Sequence, residues 1–120
     1  VHGQGFVARL SGSTAEMLSI YLYMMIGKQP FTYKNNVLYF SLNPILSKKF
    51  FKVDHTLSFT LFSKIKVTYV NESNIDTYKG KVVSYTLKNQ STSKTIAEIK
   101  DQDAIDIRNL KYDEIIAVIK

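Results

Sequence analysis

Between Thr56 and Val70 apolar and polar residues alternate twice, with one short break. Leu57, Phe59 and Leu61 fall on one side of the first run. Ile65, Val67 and Tyr69 fall on one side of the second, with Lys64, Lys66 and Thr68 opposite. A period of two sends successive side chains to opposite faces of a pleated strand. Two such runs joined by a tight turn at Ser63 predict an antiparallel pair with one apolar and one wet face. Other β-rich runs follow the same logic. Phe31–Tyr33 and Val37–Leu42 flank Asn35-Asn36, a hairpin signal, and Asn43-Pro44 ends that unit. Ile45 to Phe51 reads as an irregular connection and Asn71 to Tyr78 as a polar loop. Val82–Leu87, Thr95–Lys100 and Ile115–Ile119 bring the total to at least six strands, with a polar turn at Asn89–Ser93 and an acidic loop over Asp101–Asp106. The expected fold is mainly β: an N-terminal helix followed by a small antiparallel β-sandwich.

That helix is read from Thr14 to Ile26. Ser13 and Glu16 stand at capping-box spacing, Gly27 suits the left-handed position after a helix, and Pro30 blocks continuation. Ala15, Leu18, Leu22 and Met25 form one apolar stripe, while Met17, Ile20, Tyr21, Met24 and Ile26 cover most of the other side. A helix apolar nearly all round requires burial on more than one face. One small sheet covers a single face, so a second body or a partner is expected against the other. With that face uncovered, self-association as a homodimer is expected.

Composition narrows the function. The chain of 120 residues has no cysteine, which excludes a disulfide scaffold, a thiolate metal site and a cysteine nucleophile. His2 and His55 are too few for a histidine metal centre, and no metal or other cofactor is expected. The net charge is +6, but the cations are lysines apart from Arg9 and Arg108. Lysine is a solvated point charge, so this excess does not specify nucleic acid. No apolar run is long enough for a transmembrane helix, and no signal peptide is visible. Neither a nucleic-acid nor a membrane partner is expected, and a cytoplasmic location is. The chain opens at Val1 rather than methionine, as expected of a processed chain or a piece of a longer one.

Leu10-Ser11-Gly12-Ser13-Thr14 places three hydroxyls and a glycine where the helix begins. Such a segment can cap the helix, or it can hold an anion through unpaired amides and the helix dipole. Arg9 beside it could supply a charged fork. Asp101, Asp103 and Asp106, with Glu98 near, are the one acidic cluster and read as solvated loop. Asp54-His55 reads as a surface turn. Tyr39, Tyr69, Tyr78 and Tyr85 read as completing strand packing.

Taken in order, three segments resemble the carboxy-terminal end of the inverting glycoside phosphorylases related to cellobiose phosphorylase, family 94 of the glycoside hydrolases. They are Leu10-Ser11-Gly12-Ser13-Thr14 running into a helix, Ile26-Gly27-Lys28-Gln29-Pro30, and Val37 to Leu46 with its Asn43-Pro44. The strand Ile65–Asn71 is similar to the family's Tyr-x-Ile-x-Val-x-Asn strand. The resemblance spans about residues 6 to 72. It implies that residues 1–30 are the last helix of a preceding (α/α)6 barrel with its loop, and that residues 31–120 are a C-terminal β-sandwich domain. In such an enzyme phosphate attacks the anomeric carbon of a β-glucoside and releases a sugar 1-phosphate. The resemblance implies that Ser11 and Gly12 contact the phosphate and that the catalytic Asp lies in the barrel, so no catalytic residue is assigned in this chain. Inorganic phosphate is then a substrate. Gly27-Lys28-Gln29 and Ser47 depart from the family pattern and mark a diverged branch, of cellobiose or β-1,2-oligoglucan type. The alternative is a non-catalytic carbohydrate-binding or interaction β-sandwich module.

Overall fold

The computed structural model describes residues 21–120. Residues 21–26 are helical (α1) and lead into eight strands: β1 (Phe31–Lys34), β2 (Val37–Phe40), β3 (Thr56–Leu61), β4 (Ile65–Asn71), β5 (Val82–Lys88), β6 (Ser93–Ile96), β7 (Ile99–Lys100) and β8 (Glu114–Ile119). A helix α2 (Gln102–Arg108) precedes β8, and 3-10 turns occupy Lys48–Phe50 and Thr77–Lys79. The strands form two sheets, a three-stranded one in the order β1-β2-β7 and a five-stranded one in the order β3-β4-β8-β5-β6. The chain is therefore mainly β, with a helix ahead of two sheets rich in antiparallel pairs.

Local chemistry accounts for the hairpins. Asn35 and Asn36 take left-handed φ values of 51° and 65° between β1 and β2, the backbone that a two-residue hairpin turn requires and that asparagine tolerates. Phe62 and Ser63 do the same between β3 and β4, at 54° and 59°. The alternation in β4 is kept: Ile65, Val67, Tyr69 and Asn71 point inward, and the residues between them do not. Inward residues of both sheets join one core, including Phe40, Leu42, Val67, Tyr69, Leu87, Ile99, Ile107 and Ile115.

Three local expectations are corrected. Thr95–Lys100 is not one strand: β6 ends at Ile96, Ala97-Glu98 crosses over, and β7 belongs to the other sheet. Ile96 and Ile99, both facing the core, are three residues apart, which one straight strand of period two cannot place on the same face. The acidic segment is not a loop but α2, which buries Ala104 and Ile107 and carries a Gln102–Asp106 side-chain bond of 2.8 Å. Finally, β8 pairs in parallel with β4 and antiparallel with β5. It is the central strand, and its continuous apolar run suits burial from both sides.

Gly27 has a φ of +92°, and a Cβ there would lie 2.9 Å from the Asn43 carbonyl oxygen. The Gly27→Ala variant is expected to lose about 1–3 kcal/mol from backbone strain, read as a fall in the thermal midpoint. An unchanged midpoint would mean that the close approach is unimportant.

Candidate functional site

The end of α1 is fastened to the β-domain by its last three carbonyls, those of Met24, Met25 and Ile26. A helix leaves its last four C=O groups without helical partners. Here the Gly27 amide closes the last helical turn on Tyr23 O at 2.8 Å, and beyond it Ile45 N donates to Met24 O at 2.7 Å and Asn43 N to Ile26 O at 3.1 Å. Between them, Met25 O accepts from the buried hydroxyl of Tyr69 at 2.5 Å. Tyr85 holds the segment just before Asn43, its hydroxyl accepting from Leu42 N at 3.0 Å. Burial pushes the Tyr69 phenol well above its ordinary pKa, with Tyr85 adding to the effect, so Tyr69 remains a donor throughout the physiological range. Thr77 holds the segment after Asn43: its hydroxyl donates to Pro44 O at 2.7 Å and accepts from Leu46 N at 2.7 Å.

The same helix turn presents two different faces. Met25 and Ile26 are in the core, while Tyr21, Leu22 and Tyr23 are 52%, 47% and 45% exposed. Ile45 and Tyr78 are also exposed and line the same cavity as Tyr23.

The phosphate candidates Ser11 and Gly12, together with Arg9, Ser13 and His2, lie outside the described residues. The acidic cluster does not act as a pair of free carboxylates. Asp103 accepts from Lys94 Nζ at 2.6 Å and from the Tyr112 hydroxyl at 2.9 Å, and Asp106 accepts from Gln102. The hydrogen bond to Asp103 raises the Lys94 pKa, and burial followed by that carboxylate raises the Tyr112 phenol. No cluster of three or more histidines and carboxylates able to hold a metal occurs among the described residues. The Asp54-His55 turn matches its reading: Asp54 accepts from the amide and hydroxyl of Thr56, which lowers its pKa. Among the tyrosines, Tyr69 and Tyr85 pack in strands, but Tyr78 sits in a 3-10 turn and is 61% exposed.

Sequence reasoning missed that Tyr69 and Asn43 serve the helix end. The signal available was a tyrosine placed on an apolar strand face, since a buried phenol needs a partner.

One cavity of about 260 Å³ lies beside α1, and a second of about 430 Å³ lies between β2 and β5; they share Asn43, Lys81 and Val82 as a common wall. No helix among the described residues is long and apolar enough to cross a membrane. Comparison with known protein families, with characterised proteins and with solved structures returned no match.

Proposed function

We propose that this chain is the C-terminal part of an inverting glycoside phosphorylase acting on a β-glucoside of cellobiose or β-1,2-oligoglucan type, and that it is catalytically inactive alone. The observation that carries this reading is the two-faced helix turn. Its carbonyl end is tied to the β-domain by three hydrogen bonds, while Tyr21, Leu22 and Tyr23 are exposed. A β-domain that grips the end of a helix and leaves the opposite face apolar is built to brace that helix against a second body. The ordered resemblance of Leu10–Thr14, Ile26–Pro30 and Val37–Leu46 names that body as a helical barrel.

In this reading the β-domain fixes the orientation of the helix, and the loop before it offers the Ser11 hydroxyl and the Gly12 backbone to inorganic phosphate. A hydroxyl and amides at a helix start stabilise an anion by direct donation and by the local dipole. Phosphate attacks the anomeric carbon, and the leaving sugar oxygen takes its proton from an acid in the barrel. The products are a sugar 1-phosphate and the shortened sugar. The complete gene product, incubated with cellobiose or a β-1,2-linked glucose disaccharide, is expected to release sugar 1-phosphate only when phosphate is supplied. Sugar release that ignores phosphate, or no turnover of either disaccharide, counts against the reading.

A further inference from the structure

We propose that the free edge of β3 pairs antiparallel with β3 of a second copy of this chain, joining two five-stranded sheets into one across a two-fold axis. An edge strand offers a row of unpaired backbone groups, and folded chains guard it with a charge, a proline, a bulge or a short strand. The two sheets end in β1 and β7, and in β3 and β6. β1, β6 and β7 each carry a lysine (Lys34, Lys94 and Lys100), and none is longer than four residues. β3 is different. Its six residues, Thr56-Leu57-Ser58-Phe59-Thr60-Leu61, hold no charge, proline or glycine, and its pairing with β4 runs in unbroken register. Leu57 and Phe59 pack against the core yet are only half-buried, while Tyr69 and Val67 opposite them on β4 are fully buried. The apolar inner face is thus left open at this edge.

The phase of the ladder identifies the free backbone groups. Asn71 N donates to His55 O at 2.8 Å. Antiparallel bonding alternates along a strand, so Leu57, Phe59 and Leu61 share that phase and bond to β4. The N–H and C=O of Thr56, Ser58 and Thr60 therefore point away from it. Those of Thr56 are taken by its own turn: the amide donates to Asp54 Oδ1 at 3.1 Å and the carbonyl accepts from Lys52 N at 2.9 Å. Those of Ser58 and Thr60 have no partner among the described residues. One register uses all of them. With Phe59 opposite the partner's Phe59, Ser58 lies opposite the partner's Thr60 and exchanges two backbone hydrogen bonds with it, and the two-fold axis repeats the exchange. Phe59 then meets its own copy on the axis in a non-bonded pair, where side chains approach most closely, and Leu57 meets the partner's Leu61. Apolar groups face apolar groups on the inner side and hydroxyls face hydroxyls on the outer. A slip of one residue would set the two kinds against each other. No charged side chain of β3 opposes another. An edge that matches itself in this way is what a closed two-fold dimer requires. This interface is separate from the exposed face of α1 and does not depend on the phosphorylase reading.

Sedimentation equilibrium of the 120-residue protein over a series of concentrations tests the pairing. A monomer–dimer equilibrium is expected, tightened by added salt because each copy carries a net charge of +6. Thr60→Pro removes the Thr60 donor, twice per dimer by symmetry, and should weaken dimerisation about tenfold or more. That amide does not serve β4, and an edge strand tolerates proline where its N–H faces solvent, so the monomer fold should persist. Tyr21→Ser, which alters the exposed face of α1, should leave the dimer intact. Amide hydrogen exchange gives a second readout that needs no variant. The Ser58 and Thr60 amides should gain protection as the concentration rises, while the Leu57 and Phe59 amides, bonded to β4, are protected throughout. A protein that stays monomeric at every concentration, a dimer that Thr60→Pro leaves unweakened, or Ser58 and Thr60 amides whose exchange ignores concentration overturns the proposal.

Discussion

Replacing Tyr69 by alanine is expected to lower stability by about 3–5 kcal/mol, and replacing it by phenylalanine by about 1–3 kcal/mol. The side chain is fully buried in β4 between Leu57 of β3 and Ala117 of β8, and its ring lies 5.7 Å from that of Phe59. Alanine removes the ring and leaves a cavity. Phenylalanine keeps the ring and removes only the donor to Met25 O, which leaves a carbonyl at the end of α1 without a partner beneath the domain surface. Urea denaturation of both variants separates packing from the hydrogen bond. Equal stability of Tyr69→Phe and the parent protein would show that the hydroxyl does not fasten the helix. The phenol adds a pH dependence of definite sign. Its pKa is raised in the fold, so the neutral form is the one the fold favours. Its contribution is complete below the unfolded pKa of about 10 and is lost as the pH rises above that value.

On the proposed phosphorylase reading, Ser11→Ala in the complete gene product is expected to raise the apparent requirement for phosphate, or to slow phosphorolysis, by roughly tenfold to a hundredfold. The variant loses one donor to a charged group, worth about 1.5–3 kcal/mol, and each 1.4 kcal/mol is about a factor of ten in rate. Ser13→Ala should instead act mainly on stability, by about 0.5–2 kcal/mol, as the loss of a helix cap. Initial rates at varied phosphate distinguish the two hydroxyls. A folded Ser11→Ala enzyme with unchanged phosphate dependence returns Leu10–Thr14 to the role of a cap.

The parts of the fold legible in the sequence are those set by local rules. Alternation placed β3 and β4, Asn35-Asn36 placed the first hairpin, and Gly27 marked the end of α1, where it takes a φ of +92°. What escaped depends on contacts distant in sequence. The seven-residue α2 buries only Ala104 and Ile107, too few to make a visible stripe, and its aspartates resemble a solvated turn. The corner at Ala97-Glu98 was hidden inside a β-rich run, although the three-residue spacing of Ile96 and Ile99 contained the clue. The parallel pairing of β4 with β8 is a matter of topology that neither strand's own pattern encodes. The same holds for the helix clasp: Tyr69 and Met25 are 44 positions apart, and nothing in either segment names the other. The cavity between β2 and β5 likewise exists only because strands distant in sequence come to face one another.

The stereochemistry of the product tests the central claim most directly. Phosphorolysis of a β-linked glucose disaccharide by the complete gene product, followed by phosphorus and proton magnetic resonance from the first turnovers, reports which anomer forms. Direct attack by phosphate with inversion predicts α-configured sugar 1-phosphate in an amount equal to the sugar released. A β-configured phosphate ester would require a double displacement, and free glucose without any phosphate ester would mean that water, not phosphate, is the nucleophile; either result contradicts the account.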